Sequence, residues 1–221
     1  MMNTSCLSVK PLEAVDLESW PRIAGAFTEA MVVESQQAWR AEPDPEFRLM
    51  CVKAGWTRDA MYVYAEIEDL DIFNPEKRFN EPSFMSGDVF EIFLRPCSQE
   101  SYVEIHVTPE NQKLQLRIPS ACEFAEPRAK PGIPPEWFID RVIESRVRVN
   151  PAAQRWEVAV EIPFAMVCEV FLPRAGDRWL FSFSRYDYTR GQEKPVLSST
   201  SPHQVLNFHR QEEWGELRSA G

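Results

Sequence analysis

The chain has 221 residues, of which 34 are acidic and 24 are basic, giving a formal net charge of −10. This acidic balance argues against a nucleic-acid binder, because tracking a phosphate backbone requires Lys and Arg massed on one face. With 44% hydrophobic and 12% aromatic residues, the chain is too apolar for intrinsic disorder and long enough to bury a substantial core. The composition predicts a globular protein with one domain.

The beginning of the chain and its cysteines bear on the compartment. No segment approaches the ~18 apolar residues that span a bilayer, and residues 1–10 lack the layout of a signal peptide. We therefore expect no membrane partner, and a cytoplasmic protein for the chain as written or an exported one if a leader was trimmed. The cysteines are scattered without metal-ligand spacing, which indicates reduced thiols; they are Cys6, Cys51, Cys97, Cys122 and Cys168.

Alternating apolar and polar residues predict β-strands along most of the chain. Residues 27–40 are the one longer segment in which a helix is plausible. The alternation then runs through residues 61–68, 89–94, 102–107, 114–118, 146–149, 156–162 and 179–184. Turn-forming residues separate these segments at hairpin distances, which is typical of an all-β protein. We predict an antiparallel β-sandwich of two sheets, immunoglobulin-like or jelly-roll-like, with long loops and little helix.

Two long segments interrupt the strand pattern. Residues 69–87 are polar and carry Phe73, Phe79 and Phe84, whereas residues 122–137 are rich in proline. Loops of this length are more often functional than idle, so we expect them to border a functional surface.

The polar side of the strands offers a candidate binding face. If the strands share one sheet, the same parity places on that face Tyr62, Tyr64, Glu66, Glu91, Tyr102, Glu104, His106, Gln115, Arg117, Ser182 and Ser184. Rings, carboxylates and neutral donors together suit a neutral ligand rich in hydroxyl groups. The alternative is an ordinary solvated sheet face, which any antiparallel sheet has.

Catalysis is the less favoured interpretation of the same residues. Glu91 and Glu104 are a carboxylate pair of the kind that glycosidases use, but with 34 acidic residues such pairs arise by chance. Motifs of other common enzyme classes, such as a nucleophile elbow, a zinc-protease helix or a P-loop, are absent from the sequence.

Acidic residues concentrated at positions 68–74 raise the possibility of a metal. Asp69 and Asp71 lie in this segment, and Asp88 lies at a nearby turn. Calcium favours such clusters of hard oxygen ligands. These three residues are therefore the calcium candidates, with a solvated acidic loop as the alternative.

Six phrases, in order, resemble the pattern of family 9 carbohydrate-binding modules and their stand-alone relatives, within the DOMON-like sandwich superfamily. They are RDAMYVYAEIED (58–69), GDVFEIFL (87–94), YVE (102–104), WEVAVEIPF (156–164), GDRWLFSFSR (176–185) and NFHRQEEWGEL (207–217). The resemblance covers roughly residues 45–218. It implies a β-sandwich that binds sugars, in characterised modules often between two tryptophans, bound calcium in some members, and a role beside enzymes that degrade polysaccharides.

The resemblance also assigns candidate ligand-binding residues. The two tryptophan positions fall on Met85 and Phe208, Glu91 matches the sugar-binding glutamate, and His106 stands where the family often has an arginine. Met and Phe make a weaker stacking clamp than two indoles, although both are apolar and can flank a ring. Secondary candidates are Arg185, Tyr102 and Tyr186.

From this we expect residues 1–45 to form an N-terminal arm packed on a carbohydrate-binding sandwich of residues 46–221. The expected function is non-catalytic binding of a mono- or oligosaccharide in polysaccharide catabolism, with any hydrolysis left to a partner enzyme. One alternative is a haem b-binding DOMON-type domain that pairs Met85 with His203, His209 or Lys194. Another is a protein-interaction module that has lost sugar binding. No cofactor is required by this interpretation; calcium is the candidate ion, and haem is disfavoured.

Overall fold

The computed structural model describes residues 6–12, 15–126, 132–169, 174 and 176–219. The strands, in chain order, are β1 (Cys6–Val9), β2 (Val32–Glu34), β3 (Met50–Trp56), β4 (Ala60–Glu68), β5 (Val89–Pro96), β6 (Tyr102–Val107), β7 (Lys113–Ile118), β8 (Ser145–Asn150), β9 (Arg155–Pro163), β10 (Arg178–Asp187), β11 (Val196–Ser199) and β12 (Gly215–Ser219). The helices are short: α1 (Trp20–Ala26), α2 (Ala121–Ala125) and α3 (Phe164–Val167), with 3-10 turns at Ser83–Met85, Pro135–Trp137, Pro151–Ala153 and Gln211–Glu213.

The strands of the described residues form two sheets. The seven-stranded sheet has the order β1-β12-β10-β5-β6-β7, with β11 paired to β10, and the five-stranded sheet has the order β2-β3-β4-β9-β8. All the pairings are antiparallel except that of β1 with β12. This architecture confirms the predicted all-β sandwich.

The main core lies between the two sheets, where the apolar side of the alternating pattern is buried. Phe90, Ile92 and Leu94 of β5 meet side chains of the five-stranded sheet such as Val63 and Val158. Two further apolar clusters cover the outer faces, one under the loops beside the seven-stranded sheet and one under α1 beside the five-stranded sheet. The outer faces are therefore covered as well, so a polar residue of the predicted face does not simply meet water.

The first 45 residues contribute an edge strand to each sheet. β1 runs alongside β12, and β2 pairs with β3. Within the same stretch, the prediction of a helix over residues 27–40 is wrong: the helix is α1, which begins one residue before Pro21, and the later residues include β2. Proline suits the first turn of a helix, whereas the adjacent β-branched Val32 and Val33 favour a strand.

The predicted polar face is divided by the topology. Tyr62, Tyr64 and Glu66 belong to β4, so they lie in the five-stranded sheet rather than beside Glu91. There Tyr62 and Tyr64 pack under α1. The single-face prediction is therefore wrong for these three residues, because alternation assigns a side of a strand but not the sheet to which the strand belongs.

The predicted parity of β7 is also inverted. Gln115 lies directly opposite Ile105, a core residue, and Arg117 lies opposite Val103. The amide of Gln115 bonds to the Arg141 carbonyl and the Ile143 N–H. Leucines of β7 instead face the same side as His106. Hydrogen bonds to backbone groups of residues 139–143 thus allow the polar side chain of Gln115 to face the inner side of the sheet, where an apolar residue is usual.

No helix within the described residues is long and apolar enough to cross a membrane.

Candidate binding cavity

A cavity of about 460 Å³ opens on the outer face of the seven-stranded sheet. Its polar lining consists of Glu91, Glu104, His106, Asn207 and His209. Its aromatic lining consists of Phe84, Phe124, Trp137, Tyr186 and Phe208, and aliphatic side chains complete it at Leu116, Ile133, Leu197 and Leu206. A largely apolar pocket with a few convergent polar groups is the usual form of a small-molecule site.

Strand register brings three polar side chains together at the cavity floor. Glu91 of β5 lies directly opposite His106 of β6, and Glu104 lies two residues before His106 on the same face. His106 Nε2 is 3.1 Å from Glu91 Oε1 and 2.7 Å from Glu104 Oε1. Glu91 is 3% exposed and Glu104 is 6% exposed. We call Glu91, Glu104 and His106 the floor trio.

Burial and mutual charge shift the pKa values of the floor trio in different directions. Burial raises the pKa of Glu91 to about 8, although His106 opposes the rise. Burial also opposes ionisation of Glu104, but His209 and His106 outweigh it and lower the pKa of that carboxyl. For His106, burial disfavours the charge, yet the two carboxylates prevail and raise its pKa. The floor thus holds an imidazole between two carboxyl groups, so it both donates and accepts hydrogen bonds.

His209 extends this polar group from the C-terminal segment. Its Nε2 lies 3.8 Å from Glu104 Oε2, and its Nδ1 lies 2.8 Å from the hydroxyl of Tyr102. The imidazole stacks on Phe124 with ring centroids 3.5 Å apart. Tyr102 itself is fully buried beneath His209. Contacts on both sides of the ring therefore fix the direction of Nε2.

The aromatic lining residues form two groups of rings. In the first, Phe84 meets the edge of His106 and contacts Tyr186, which in turn meets Phe208. In the second, Phe124 stacks with Trp137. Such flat faces cover the C–H surfaces of a sugar ring or of another flat apolar ligand.

The segment between β4 and β5 delivers Phe84 to the cavity. Asp88 accepts the backbone N–H groups of Phe73 and Tyr188, and the amide of Asn74 donates to the Ser83 and Asp88 carbonyls. The Tyr188 hydroxyl donates to the carbonyl of Phe84. This loop is thus tied to β10 as well as to β5.

The structure brings some of the predicted ligand residues together and separates others. Glu91, His106, Tyr186 and Phe208 line the cavity. Tyr102 lies under His209 and outside the lining. Their roles in binding stay predictions.

Met85 and Arg185 lie elsewhere. The side chain of Met85 is 69% exposed and outside the cavity lining, whereas the preceding Phe84 lines it. Arg185 lies opposite the core residue Phe90 and so faces the other side of the sheet. It bonds to the carbonyl of Glu68 and forms ion pairs with Asp69 and Asp187.

The calcium candidates are also divided. Asp69 and Asp88 lie together, with Asp187 as their third carboxylate, whereas Asp71 pairs with Arg190 instead. The Arg185 guanidinium lies 2.9 Å from Asp69 Oδ2 and 3.0 Å from Asp187 Oδ1. A side-chain cation thus already lies against two of the three carboxylates. A calcium ion here would compete with the guanidinium for the same oxygens, and calcium binding by Asp69 and Asp88 stays a prediction.

The residues proposed for haem do not surround one cavity. Met85 faces outward, Lys194 is exposed, and His203 is buried with Nδ1 3.2 Å from Glu213 Oε2. His209 lines the cavity but is oriented by Tyr102. The described residues therefore do not fit an axial pair for haem.

Sequence reasoning missed several lining residues. Phe124 and Trp137 lie in the proline-rich segment, and Phe84 lies in the first long loop. The two interruptions of the strand pattern were therefore the only feature of the sequence that pointed to these lining residues. The sequence assigned His209 only to the haem alternative. Which aromatic of a loop turns inward depends on 3-10 turns such as Ser83–Met85 and Pro135–Trp137, and no periodicity marks these.

Comparisons with known proteins support the fold. No protein-family model matches the chain, and no curated protein matches it either. A Bacteroides uniformis protein described as a "putative carbohydrate-binding protein" has a similar structure, with a TM-score of 0.75 and 14% identity over 98% of this chain and 100% of that chain.

A family 9 carbohydrate-binding module from Caldicellulosiruptor kristjanssonii is also similar. In its complex with cellotriose the TM-score is 0.65, with 14% identity over 98% of this chain and 94% of that chain. In its complex with glucose the TM-score is 0.62, with 14% identity over 98% and 95% of the two chains. The chain therefore has the two-sheet sandwich fold of the family 9 carbohydrate-binding modules.

Proposed function

We propose that this protein binds a mono- or oligosaccharide in the cavity without catalysing its hydrolysis. The observation that carries the proposal is the floor trio, which places hydrogen-bond donors and acceptors at the base of an aromatic-walled cavity. Structurally similar modules were solved with glucose and cellotriose, so glucose-type sugars are the first ligands to test.

Each part of the cavity has a distinct role in this proposal. Glu91 and His106 hydrogen-bond the sugar hydroxyls, and the lining rings of Phe208, Tyr186, Phe124 and Trp137 cover the C–H faces of the sugar. The cavity is about 460 Å³, which is within the range of pockets that hold small ligands. We infer further that binding serves polysaccharide catabolism beside degrading enzymes, as the family resemblance implies.

Isothermal titration calorimetry with glucose, xylose, galactose and their soluble oligomers tests the proposal. We expect saturable binding for one sugar series. Glu91→Gln preserves the shape of the side chain but replaces one oxygen with an amide donor, and it should weaken binding by up to about tenfold, the typical effect of losing one hydrogen bond.

The matched control is Glu157→Gln. Glu157 is also a buried glutamate on an outer sheet face, but it lies in β9 and bonds to Tyr64 and Arg148. This variant should bind like the unaltered protein. If Glu91→Gln binds sugar as tightly as the unaltered protein, the site lies elsewhere. If no sugar in the panel gives a binding signal, the interaction-module alternative is favoured. Release of shorter sugars during the titration would contradict a non-catalytic role.

A further inference from the structure

The cavity floor contains more ligand atoms than its own hydrogen bonds use. A single N–H of His106 faces two carboxylates, at 3.1 Å from Glu91 and 2.7 Å from Glu104. The second oxygen of Glu104, Oε2, is buried without a hydrogen-bond partner. An unpartnered buried carboxylate oxygen is costly, which suggests that a positively charged group completes the site.

His209 aims a second imidazole at that oxygen. Its Nε2 lies 3.8 Å from Glu104 Oε2, which is too long for a hydrogen bond. Two donors bound at about 2.1 Å to one metal ion lie about 3.0–3.4 Å apart. The separations of 3.1 and 2.7 Å from His106 Nε2 lie close to that range. Glu91, Glu104 and His106 can therefore share an ion as they stand, whereas His209 Nε2 would have to move toward them to become the fourth ligand.

The surroundings are also those of a metal-ligating histidine. Such residues usually hold the second ring nitrogen on a hydrogen-bond partner, which sets the direction of the ligating nitrogen. The Tyr102 hydroxyl lies 2.8 Å from His209 Nδ1, and Phe124 stacks on the ring. His106 is held differently, by its place in β6 and by the edge contact of Phe84.

We propose that Glu91, Glu104, His106 and His209 bind a divalent transition-metal ion of the zinc class at the floor of the cavity. Two imidazoles and two carboxylates suit zinc and its neighbours better than calcium or magnesium, which prefer oxygen ligands only. Glu91, Glu104 and His106 each offer a ligand atom, and these atoms lie within 4.8 Å of one another. The two carboxylates neutralise the charge of the ion.

The proposed ion would border the space assigned to the sugar. A saccharide hydroxyl could then reach the metal as well as the protein, and this consequence rests on the proposed function. The metal site itself does not rest on it, because metal binding is measured without sugar.

Titration of the chelator-treated protein with zinc chloride, followed by calorimetry, tests the proposal. Cys97 and Cys122 are exposed thiols that would compete for zinc as thiolates, so the titration uses a Cys97→Ser, Cys122→Ser background. We expect one zinc ion per chain. His209→Gln should weaken binding at least tenfold, and Tyr102→Phe, which leaves all four ligands but frees the ring, should weaken it about tenfold.

His203→Gln is the matched control, since His203 is the one histidine of the three that is outside the proposed site and pairs with Glu213 instead. This variant should bind zinc normally. Cobalt(II) provides a second readout, because visible bands that disappear in His209→Gln show direct imidazole ligation. His209 is partly exposed, whereas Glu104 is buried, so replacing His209 should disturb the fold less than Glu104→Gln would.

Three results would overturn the proposal. They are the absence of saturable zinc binding, binding of equal strength in His209→Gln, and loss of binding in a folded His203→Gln protein. A protein that binds sugar but shows no saturable zinc binding would leave the proposed function in place and remove the metal site. Zinc binding without any sugar binding would do the reverse.

Discussion

Glu91 and His106 face each other because they occupy opposite positions of the β5–β6 pair. The alternation of each strand predicts which side they take, and the family resemblance selects both residues. Alternation also places Glu104 on the same side of β6 as His106, but it does not predict the bond between them, which depends on the side-chain conformations. At the scale of single residues, the sequence therefore identified the hydrogen-bonding groups but not their coupling.

The sequence predicts that Met85 flanks the sugar together with Phe208, whereas the structure places the neighbouring Phe84 in the cavity lining. Phe84 and Phe208 line the cavity, whereas Met85 points outward. Phe208→Ala should weaken saccharide binding about tenfold or more, because it removes a stacking face worth roughly 0.5–1.5 kcal/mol beyond its buried area. Met85→Ala should leave the affinity unchanged. Calorimetry measures the saccharide affinity of both variants. A larger loss of affinity in Met85→Ala than in Phe208→Ala would support the Met85–Phe208 clamp predicted from the sequence.

The raised pKa of the buried Asp88 carboxyl leads us to expect that the stability of the protein depends on pH. Burial raises its pKa to about 8, with a further contribution from Asp69, and burial raises the pKa of Asp187 to about 6 despite Arg185. Both values exceed the ~3.9 of an unfolded aspartate, so the folded state holds more protons than the unfolded state between about pH 4 and pH 8. The free energy of unfolding contributed by these groups therefore falls as the pH rises through that window.

Thermal melts at about pH 5 and pH 8.5 test this sign, with a higher Tm expected at the lower pH. Asp88→Asn serves as the comparison, since it should make the difference between the two Tm values smaller whatever it does to either one. His203, whose pKa is lowered by burial, acts in the opposite direction but is present in both proteins. An unchanged difference in Asp88→Asn would contradict the account.

At the scale of elements, the loop between β4 and β5 decides the shape of the cavity. The sequence predicted a long functional loop here but not its path, which follows from side chains such as Asn74 and Asp88 bonding to backbone groups. Contacts of this kind join residues far apart in sequence, for example Asp88 and Tyr188. They leave no local pattern that a single sequence reveals.

Gly87 tests how tightly that loop is packed. A Cβ added there would lie 2.6 Å from Asn74 Cα and 2.7 Å from the Phe73 carbonyl oxygen, so the backbone would have to move. Gly87→Ala should cost about 1–3 kcal/mol of unfolding free energy, and each kcal/mol lowers the Tm by about 2–4 °C. It should also weaken saccharide binding by displacing Phe84.

Gly25→Ala is the control for this change. Gly25 lies in α1 with nothing within 4 Å of an added Cβ, so the substitution should be neutral or slightly stabilising, as alanine favours helix. Melting curves of the two variants compare the sites directly. Equal Tm values for Gly87→Ala and Gly25→Ala would show that the loop between β4 and β5 accommodates the added Cβ and does not hold Phe84 in a single position.

At the scale of the whole molecule, the two sheets have different coverings. The outer face of the five-stranded sheet is closed by α1 and by rings such as Phe27, which stacks on Tyr64. The outer face of the seven-stranded sheet is covered by the two long loops and the C-terminal segment, which leave the cavity between them. The fold class followed from strand periodicity, whereas the division of strands between sheets did not, since it requires contacts distant in sequence.

The central claim is that a saccharide occupies this cavity, and the indole N–H signals of the tryptophans test it most directly. Trp137 lines the cavity, Trp156 and Trp179 lie in the core between the sheets, and Trp20 begins α1 on the outer face of the five-stranded sheet. In a two-dimensional ¹H–¹⁵N NMR titration with glucose or cello-oligosaccharides, the account predicts a saturable shift of the Trp137 signal, with the Trp20, Trp156 and Trp179 signals unchanged. A Trp137 signal that stays fixed while the sugar saturates the protein, or a shift centred on Trp20, would contradict it.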